Sequence, residues 1–375
     1  MENIQLVDLK NQYLKMEEEI DKAVLDVIKS TAYINGPEVK HFQADLEKYL
    51  NVKHVIPCGN GTDALQIALM ALNIKPGDEV LTPSFTYVAT CEVIALLGAT
   101  PVFVDVYPDT YNIDVEDLES KITNKSKAII PVHLYGQCAD MDGVLQVAKK
   151  HNLKVVEDTA QGIGADYTFP NGTVKKAGTM GDIGTTSFFP SKNLGAYGDG
   201  GAILTNDDQM AAEMRMIANH GQSKRYYHDQ IGVNSRLDSI QAAILRVKLR
   251  YLDDYNMARN QAADFYNRAF KDSPHITAPF TASFSSHVYH QYTVKLHDVN
   301  RDALQAFLKE KGVPTNIYYP LANHKQKAFA GMVKPERLDT TEELSNQVLS
   351  FPIHTEMTAE QLEHITRSTL EFVNG

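Results

Sequence analysis

The stretch TTSFFPSKNLGAYGDGGA, residues 185–202, decides how this chain folds. It places Lys192 between an apolar, β-prone run over residues 183–189 and a turn with four glycines, after which residues 202–204 are again apolar. Lysine is seldom buried, because removing its ammonium group from water is costly. A lysine held between buried segments has a lowered pKa, and its neutral amine is a nucleophile able to form a Schiff base. Taken alone, the segment is better explained by a loop lysine that points into water.

Composition and charge indicate a globular protein of the cell interior. The chain has 375 residues, enough for two domains, and its net charge of -11 argues against nucleic acid or an anionic membrane as the main partner. Cys58, Cys91 and Cys138 lack the spacing of a metal site, and their odd number is a poor disulfide framework. No signal peptide or membrane-spanning run is recognisable. We therefore expect a cytoplasmic protein with reduced thiols and no metal.

The order of strand and helix patterns predicts the architecture. Between residues 54 and 218 the two patterns alternate, which is typical of an α/β domain with a mostly parallel sheet. A helical pattern from 235 to 270 predicts a long helix that bridges two domains. The remainder predicts strands at 289–296 and 314–318 and helices at 301–311 and 359–373. We predict a large α/β domain over residues 1–250 and a small α+β domain over residues 251–375.

Two further segments change the interpretation of Lys192. CGNGTDAL, residues 58–65, lies where a strand gives way to a helix, so its glycines and the N–H groups at the helix start favour a phosphate. A glycine turn with a helix cap explains this segment equally well. VVEDTAQ, residues 155–161, lies at the carboxyl end of a buried strand, where α/β sheets bind ligands. Asp158 there is either a helix cap or the carboxylate that keeps a pyridine nitrogen protonated.

A phosphate site, a strand-end carboxylate and a buried lysine, in this order on an α/β domain, fit pyridoxal 5′-phosphate (PLP). Each signal is weak alone, but one ligand uses all three. Gln161 is placed to donate to a ring oxygen, and Ser187 is a further candidate phosphate donor.

The chain resembles the nucleotide-sugar aminotransferases of the DegT/DnrJ/EryC1/StrS family, which are PLP enzymes of the aspartate aminotransferase fold (fold type I). The resemblance covers nearly the whole chain and rests on NGTDAL (60–65), PSFTYVAT (83–90), VFVDV (102–106), HLYGQ (133–137), EDTAQ (157–161), SFFPSKNLGAYGDGGA (187–202) and NSRLDSIQAAIL (234–245).

The resemblance implies roles for particular residues. Lys192 matches the Schiff-base lysine and Asp158 the partner of the pyridine nitrogen. The implied contacts to the rest of the cofactor are a ring hydroxyl contact from Gln161, ring stacking by Tyr87, and phosphate contacts from Gly61, Thr62, Ser187 and the backbone N–H of Asp63. It also implies a homodimer with shared active sites, in which Asn234 reaches the phosphate of the neighbouring subunit's cofactor.

The same resemblance implies that L-glutamate donates the amino group, that pyridoxamine 5′-phosphate is the intermediate form of the cofactor, and that a nucleotide-linked keto-sugar accepts the group. Segments 187–202 and 234–245 look most like members that act on 3-keto sugars of the UDP-2-acetamido-2-deoxy-3-oxo-glucuronate type, in polysaccharide (O-antigen) biosynthesis.

Candidate substrate contacts follow from this resemblance. Arg236 suits the sugar's carboxylate, since a guanidinium binds a carboxylate bidentately, although an ion pair with Asp238 explains it as well. Tyr318, Tyr319 and His324 lie in a stretch that resembles substrate-contacting residues. The subgroup carries a histidine where this chain has Tyr318, so a dTDP-3-keto-6-deoxyhexose remains an alternative acceptor. A catalytically silent PLP-fold sensor or scaffold is the alternative from another functional class.

Overall fold

The computed structural model describes residues 4–333 and 337–375, which form 13 α-helices and 14 strands. The helices are Leu9–Leu14 (α1), Glu17–Ser30 (α2), Pro37–Leu50 (α3), Gly61–Ala71 (α4), Ala89–Leu96 (α5), Val115–Ser120 (α6), Met141–His151 (α7), Asp208–Ala218 (α8), Ser239–Leu249 (α9), Leu252–Phe270 (α10), Arg301–Glu310 (α11), Asp339–Gln347 (α12) and Ala359–Val373 (α13). The strands are His54–Cys58 (β1), Glu79–Pro83 (β2), Thr100–Val104 (β3), Ser126–Ile129 (β4), Lys154–Asp158 (β5), Asp166–Thr168 (β6), Val174–Lys176 (β7), Ile183–Ser187 (β8), Gly201–Thr205 (β9), Gln222–Lys224 (β10), Tyr227–His228 (β11), Ile276–Thr277 (β12), Tyr292–Leu296 (β13) and Val348–Phe351 (β14).

A seven-stranded sheet forms the centre of the molecule, in the order β1-β9-β8-β5-β4-β2-β3. Strands β3, β2, β4, β5 and β8 are parallel, whereas β9 runs antiparallel to both of its neighbours. Residues 155–158 of β5 are buried, as expected for a strand covered on both faces. The prediction of an α/β fold with a mostly parallel sheet is confirmed.

The reversal at β9 determines where Lys192 lies. Strand β8 ends at Ser187, the chain passes through Lys192, and β9 returns beside β8 with Gly201 opposite Ser187. Lys192 therefore lies in a loop at the carboxyl end of β8. Asp158 is the last residue of the neighbouring strand β5, opposite Thr185 of β8. The sheet thus brings both residues to the same edge.

The predicted single helix from 235 to 270 is wrong, because the structure divides it into α9 and α10. The two residues between the helices, Arg250 and Tyr251, both hydrogen bond to Glu19 of α2, and the Tyr251 hydroxyl donates at 2.5 Å. These contacts hold the connection against α2. The predicted strand at 314–318 is also wrong, since only an isolated bridge between Asn316 and Ser350 forms there. Strand β14, which was not predicted, pairs with β13 instead.

A separate, smaller core surrounds the antiparallel sheet β12-β13-β14. Its apolar residues come from α10, α11, α13 and the three strands, and Ile4 of the N-terminal segment joins them. Helix α10 contributes Leu252 to a core of the large sheet and Phe270 to the small core, so it connects the two. The domain boundary between residues 250 and 251 stays a prediction, and residues 1–3 and 334–336 of the predicted domains lie outside the described residues.

Within residues 4–333 and 337–375, none of the helices is both long enough and apolar enough to span a bilayer.

Candidate active site

Lys192 is half-buried in the loop between β8 and β9. Its backbone N–H donates to the carbonyl of Phe189 at 2.8 Å, which fixes the start of the loop. Burial lowers the pKa of the Lys192 amine to about 8, and the negative charge of Asp158 partly opposes this shift. The amine therefore lies within electrostatic range of the carboxylate and carries a neutral fraction at physiological pH.

Asp158 is held by hydrogen bonds to both of its carboxylate oxygens. Oδ2 accepts from the Thr90 hydroxyl at 2.8 Å, and Oδ1 accepts from the backbone N–H of Ala160 at 3.1 Å. The residue is only 5% exposed, so these bonds replace most of its contact with water. Thr90 closes the PSFTYVAT segment, but it lies 68 positions before Asp158 and its role could not be read from the sequence.

The start of α4 and the end of β8 form a cradle beside Lys192. A Cβ atom added to Gly61 would lie 2.8 Å from the Cβ of Ser187, and one added to Gly201 would lie 2.4 Å from the backbone of Asn60. Only glycine allows such close approach at these two positions. The N–H groups of Gly61 and Thr62 are among the first of the helix and have no partner inside it. Together with Ser187, they offer donors to a phosphate.

The predicted phosphate contact of Asp63 meets a competing interaction. Its backbone N–H already donates to the Oδ1 atom of Asn60, at 2.8 Å, in a helix cap. Its carboxylate accepts from the Ser235 hydroxyl at 2.6 Å, and that hydroxyl also accepts from the Gly59 N–H at 2.8 Å. Asp63 therefore stabilises this loop through its own hydrogen bonds, and the phosphate contacts of Gly61, Thr62 and Ser187 stay predictions.

Gln161 connects the cofactor side of the site to the C-terminal part of the chain. Its Oε1 accepts from the Tyr135 N–H at 2.8 Å, and its Nε2 donates to the Tyr319 hydroxyl at 3.1 Å. One N–H of the amide remains for a further acceptor. The Tyr135 hydroxyl in turn donates to the backbone carbonyl of Tyr318. The ring of Tyr87 lies 6.4 Å from that of Tyr319, and Tyr87 is 59% exposed, while its stacking on the cofactor ring stays a prediction.

The prediction that His324 contacts the substrate finds no support in the structure. Its Nδ1 hydrogen bonds to the Ser84 hydroxyl at 2.8 Å, and its Nε2 hydrogen bonds to Glu342 at 3.2 Å. The side chain is 5% exposed. With both ring nitrogens engaged and the ring buried against Phe103, His324 supports the structure and has no nitrogen left for a substrate.

Arg236 and Asn234 lie on the segment that runs past the phosphate cradle, next to Ser235. Asn234 is exposed, and Arg236 is half-buried. Among the residues that the structure describes, Arg236 pairs with no carboxylate, so the alternative of an ion pair with Asp238 finds no support. The contact of Asn234 with a neighbouring subunit stays a prediction.

The assembled groups fit PLP. An amine of lowered pKa and a buried, doubly hydrogen-bonded carboxylate lie at one sheet edge, and a glycine-lined helix start is adjacent. These are the imine, pyridinium and phosphate partners that this cofactor requires.

Comparisons with known proteins agree with the presence of a PLP site. The model of the DegT/DnrJ/EryC1/StrS aminotransferase family matches residues 14–369. The chain is 47% identical to the UDP-2-acetamido-2-deoxy-3-oxo-D-glucuronate aminotransferase of Pseudomonas aeruginosa, over 94% of this chain and 95% of that protein. It is 46% identical to a pleiotropic regulatory protein of Geobacillus stearothermophilus, over 99% and 98% of the two chains. The crystal structure of S. venezuelae DesV in complex with ketimine intermediate matches with a TM-score of 0.95 and 38% identity over 100% of each chain.

Proposed function

This chain belongs to the DegT/DnrJ/EryC1/StrS aminotransferase family, and from that membership we propose that it transfers an amino group from L-glutamate to C3 of a nucleotide-linked keto-sugar. The acceptor is of the UDP-2-acetamido-2-deoxy-3-oxo-glucuronate type. The predicted family, fold and enzyme class, a PLP-dependent nucleotide-sugar aminotransferase, are confirmed by the family match and by the similarity to solved aminotransferases.

One observation carries the proposal. Asp158 ends β5 and Lys192 follows the neighbouring strand β8, so both lie at the carboxyl edge of the sheet, where β8 and the start of α4 form the cradle of Gly61 and Ser187. PLP, when bound, supplies an aldehyde that bonds to an amine and a ring that withdraws electrons from the carbon that loses a proton. The choice of a 3-keto acceptor is supported by the name of the P. aeruginosa relative.

The residues of the chain perform four tasks. Lys192, with a pKa of about 8, is able both to take a proton from the α-carbon of the donor and to return it to the neighbouring carbon. Asp158 holds a proton at the pyridine nitrogen, and Thr90 and Ala160 orient its two oxygens. Gln161 directs its remaining N–H toward the ring hydroxyl. Arg236, Tyr318 and Tyr319 contact the sugar.

The remaining partners are also proposals. We propose a homodimer in which Asn234 completes the neighbouring site. Exposed apolar side chains on and beside the β10–β11 hairpin support it, since Tyr226, Tyr227 and Ile231 are 77%, 63% and 85% exposed in the single chain. We further propose a cytoplasmic location, which the three buried free cysteines support.

Two alternatives have specific support. Tyr318 occupies the position at which family members that act on UDP-2-acetamido-2-deoxy-3-oxo-glucuronate carry histidine. This difference favours a dTDP-3-keto-6-deoxyhexose as acceptor. The regulatory name of the G. stearothermophilus relative favours a sensor role. A catalytic role explains the arrangement of Lys192 and Asp158 better, because a scaffold does not require an amine of lowered pKa next to a buried carboxylate.

A half-reaction identifies the acceptor. We expect enzyme loaded with pyridoxamine phosphate by L-glutamate to return to the aldehyde form when a UDP-linked 3-keto sugar is added, and the absorbance spectrum follows this change. The matched additions are dTDP-linked 3-keto and 4-keto sugars. If only a 4-keto sugar returned the cofactor to the aldehyde form, the assignment to C3 would be contradicted. If no amino acid converted the cofactor to pyridoxamine phosphate, the sensor role would be favoured.

Thr90 is a positioning residue, because it acts through Asp158. We expect Thr90→Val to lower kcat on the order of tenfold or more with little change in KM, since it removes a hydrogen bond to a buried carboxylate while keeping the shape of the side chain. Thr90→Ser retains the hydroxyl and should keep most of the rate. Steady-state kinetics and a thermal unfolding scan of both variants test this. Equal losses in the two variants would indicate that packing, and not the hydroxyl, is what matters.

A further inference from the structure

The side-chain amide of Gln161 is held in one orientation by hydrogen bonds to two tyrosines. Its Oε1 accepts from the backbone N–H of Tyr135 at 2.8 Å, and its Nε2 donates to the hydroxyl of Tyr319 at 3.1 Å. Exchanging the oxygen and the nitrogen would turn N–H groups toward the Tyr135 N–H, which can only donate. Gln161 is 6% exposed. The direction of its second Nε2 hydrogen is therefore set by the protein, because an amide is planar.

Tyr135 fixes both ends of this arrangement. Its backbone N–H binds Gln161, and its hydroxyl donates to the carbonyl of Tyr318, next to Tyr319. Tyr135 is buried, and its φ of 57° lies in the left-handed region that favours glycine. Such strain persists only where the surrounding structure imposes it, and it is concentrated at functional sites. The conformation of Tyr135 thus holds Gln161 and the segment of Tyr319 at a fixed separation.

The Tyr319 hydroxyl acts on Gln161 as a neutral group. Burial raises the pKa of Tyr319, and the negative charge of Asp158 adds to the rise, so the hydroxyl keeps its hydrogen at physiological pH. The ring packs edge-to-face against Phe85, with the two ring centres 6.1 Å apart. Tyr319 therefore presents a fixed, uncharged oxygen, which orients the amide without adding charge to the site.

We propose that Tyr319 is a positioning residue for PLP: its hydroxyl orients the Gln161 amide so that the second N–H is directed at the ring oxygen of the cofactor. The proposal rests on the PLP site of the proposed function and gives Tyr319 a task that does not involve the sugar. Residues 4–333 and 337–375 supply no acceptor to that second N–H, so it is available to the cofactor. Without the Tyr319 hydroxyl, the amide would be held only at Oε1 and free to tilt about that one bond.

The second N–H affects the protonation of the Schiff base that Lys192 forms. The ring oxygen of PLP carries negative charge, and a proton on the neighbouring imine nitrogen balances it. When the imine is unprotonated, the oxygen depends more on the donated N–H, so this hydrogen bond favours the unprotonated form. Loss or misdirection of the bond therefore raises the pH at which the imine loses its proton.

Absorbance spectra of the PLP-loaded enzyme, recorded across pH without substrate, test this proposal. We expect Gln161→Met, which keeps an unbranched side chain but removes the donor, to raise the midpoint of the imine transition by about one pH unit. Tyr319→Phe should raise the midpoint by at least about 0.5 pH units. The matched control is Tyr167→Phe on β6. It also removes a hydroxyl, one that hydrogen bonds to Asp140 and to the backbone of Asp142, and it should leave the midpoint unchanged.

The double variant decides whether Tyr319 acts through Gln161. In the Gln161→Met background, Tyr319→Phe should not change the midpoint further, since the effects of residues that act through one group are not additive. Equal changes in both backgrounds, or an unchanged midpoint in Tyr319→Phe alone, would overturn the proposal. If Gln161→Met unfolds or loses PLP, Gln161→Asn takes its place, because its amide is one methylene too short to reach both tyrosines. Such results refute the positioning role only, whereas an enzyme that binds PLP but aminates no keto-sugar refutes the proposed function only.

Discussion

Replacing Lys192 with alanine is expected to lower kcat by at least about 10³-fold, because the variant loses the amine that bonds to the cofactor and moves the proton. Borohydride should fix PLP to the wild-type chain at Lys192 and leave the variant unlabelled, which peptide mass spectrometry detects. Purified wild-type protein should be yellow. Full turnover by Lys192→Ala would remove the central assignment.

The pH dependence of the same reaction provides a second readout. With a pKa of about 8, the Lys192 amine is mostly protonated below pH 7 and mostly neutral above pH 9. Only the neutral form attacks an aldehyde, so capture of PLP by the apoenzyme should become about tenfold faster per pH unit below 8 and level off above it.

Lys248 offers a matched control. It is 1% exposed, and burial lowers its pKa to about 7, yet its ammonium faces the ring of Tyr197 at 5.2 Å and no carboxylate contributes to its shift. If a lowered pKa were sufficient, borohydride would label Lys248 too. We expect Lys248→Met to retain full labelling at Lys192, because only Lys192 has Asp158 and the phosphate cradle beside it.

Asp158→Asn is expected to lower kcat by about 10²–10³-fold, the scale on which loss of one preorganised electrostatic contact acts. Asparagine keeps the shape and the hydrogen bond from the Ala160 N–H, but it cannot hold a proton at the pyridine nitrogen. The phosphate cradle is untouched, so the Kd for PLP should change only severalfold. Spectrophotometric titration and steady-state kinetics measure the two quantities.

The control for Asp158→Asn is Asp208→Asn, which alters an exposed carboxylate that pairs with Lys53 and His54. This variant should keep both kcat and PLP affinity. A large loss of PLP affinity in Asp158→Asn with an intact kcat would contradict the role assigned to the carboxylate.

Much of the site could be predicted because its main residues lie in local patterns. Lys192 follows a strand and precedes a glycine-rich turn, and Asp158 ends a strand, so each position is visible from neighbouring residues. The hydrogen bonds that hold the side chains of the site in place could not be predicted. Thr90 reaches Asp158 across 68 positions, and Gln161 reaches Tyr319 across 158. Such contacts depend on how the chain folds back on itself.

The errors have the same origin. His324 looked like a substrate contact because of its neighbours in the sequence, but Ser84, 240 positions earlier, and Glu342 occupy its two nitrogens. The helix predicted over residues 235–270 has a continuous periodic pattern, and its interruption depends on Glu19 of another helix. Periodicity does not reveal a distant hydrogen-bond partner.

The sequence by itself determined the alternation of strands and helices, the position of Lys192 after a strand and before a glycine-rich turn, and the family to which the chain belongs. These properties are local, since apolar periodicity, glycine turns and short motifs depend on residues close together in the chain. Only the tertiary structure decided which polar groups are satisfied. Within the described residues, the Nδ1 atom of His290 has no hydrogen-bond partner, whereas each ring nitrogen of His324 has one, because the elements that supply such partners meet only after folding.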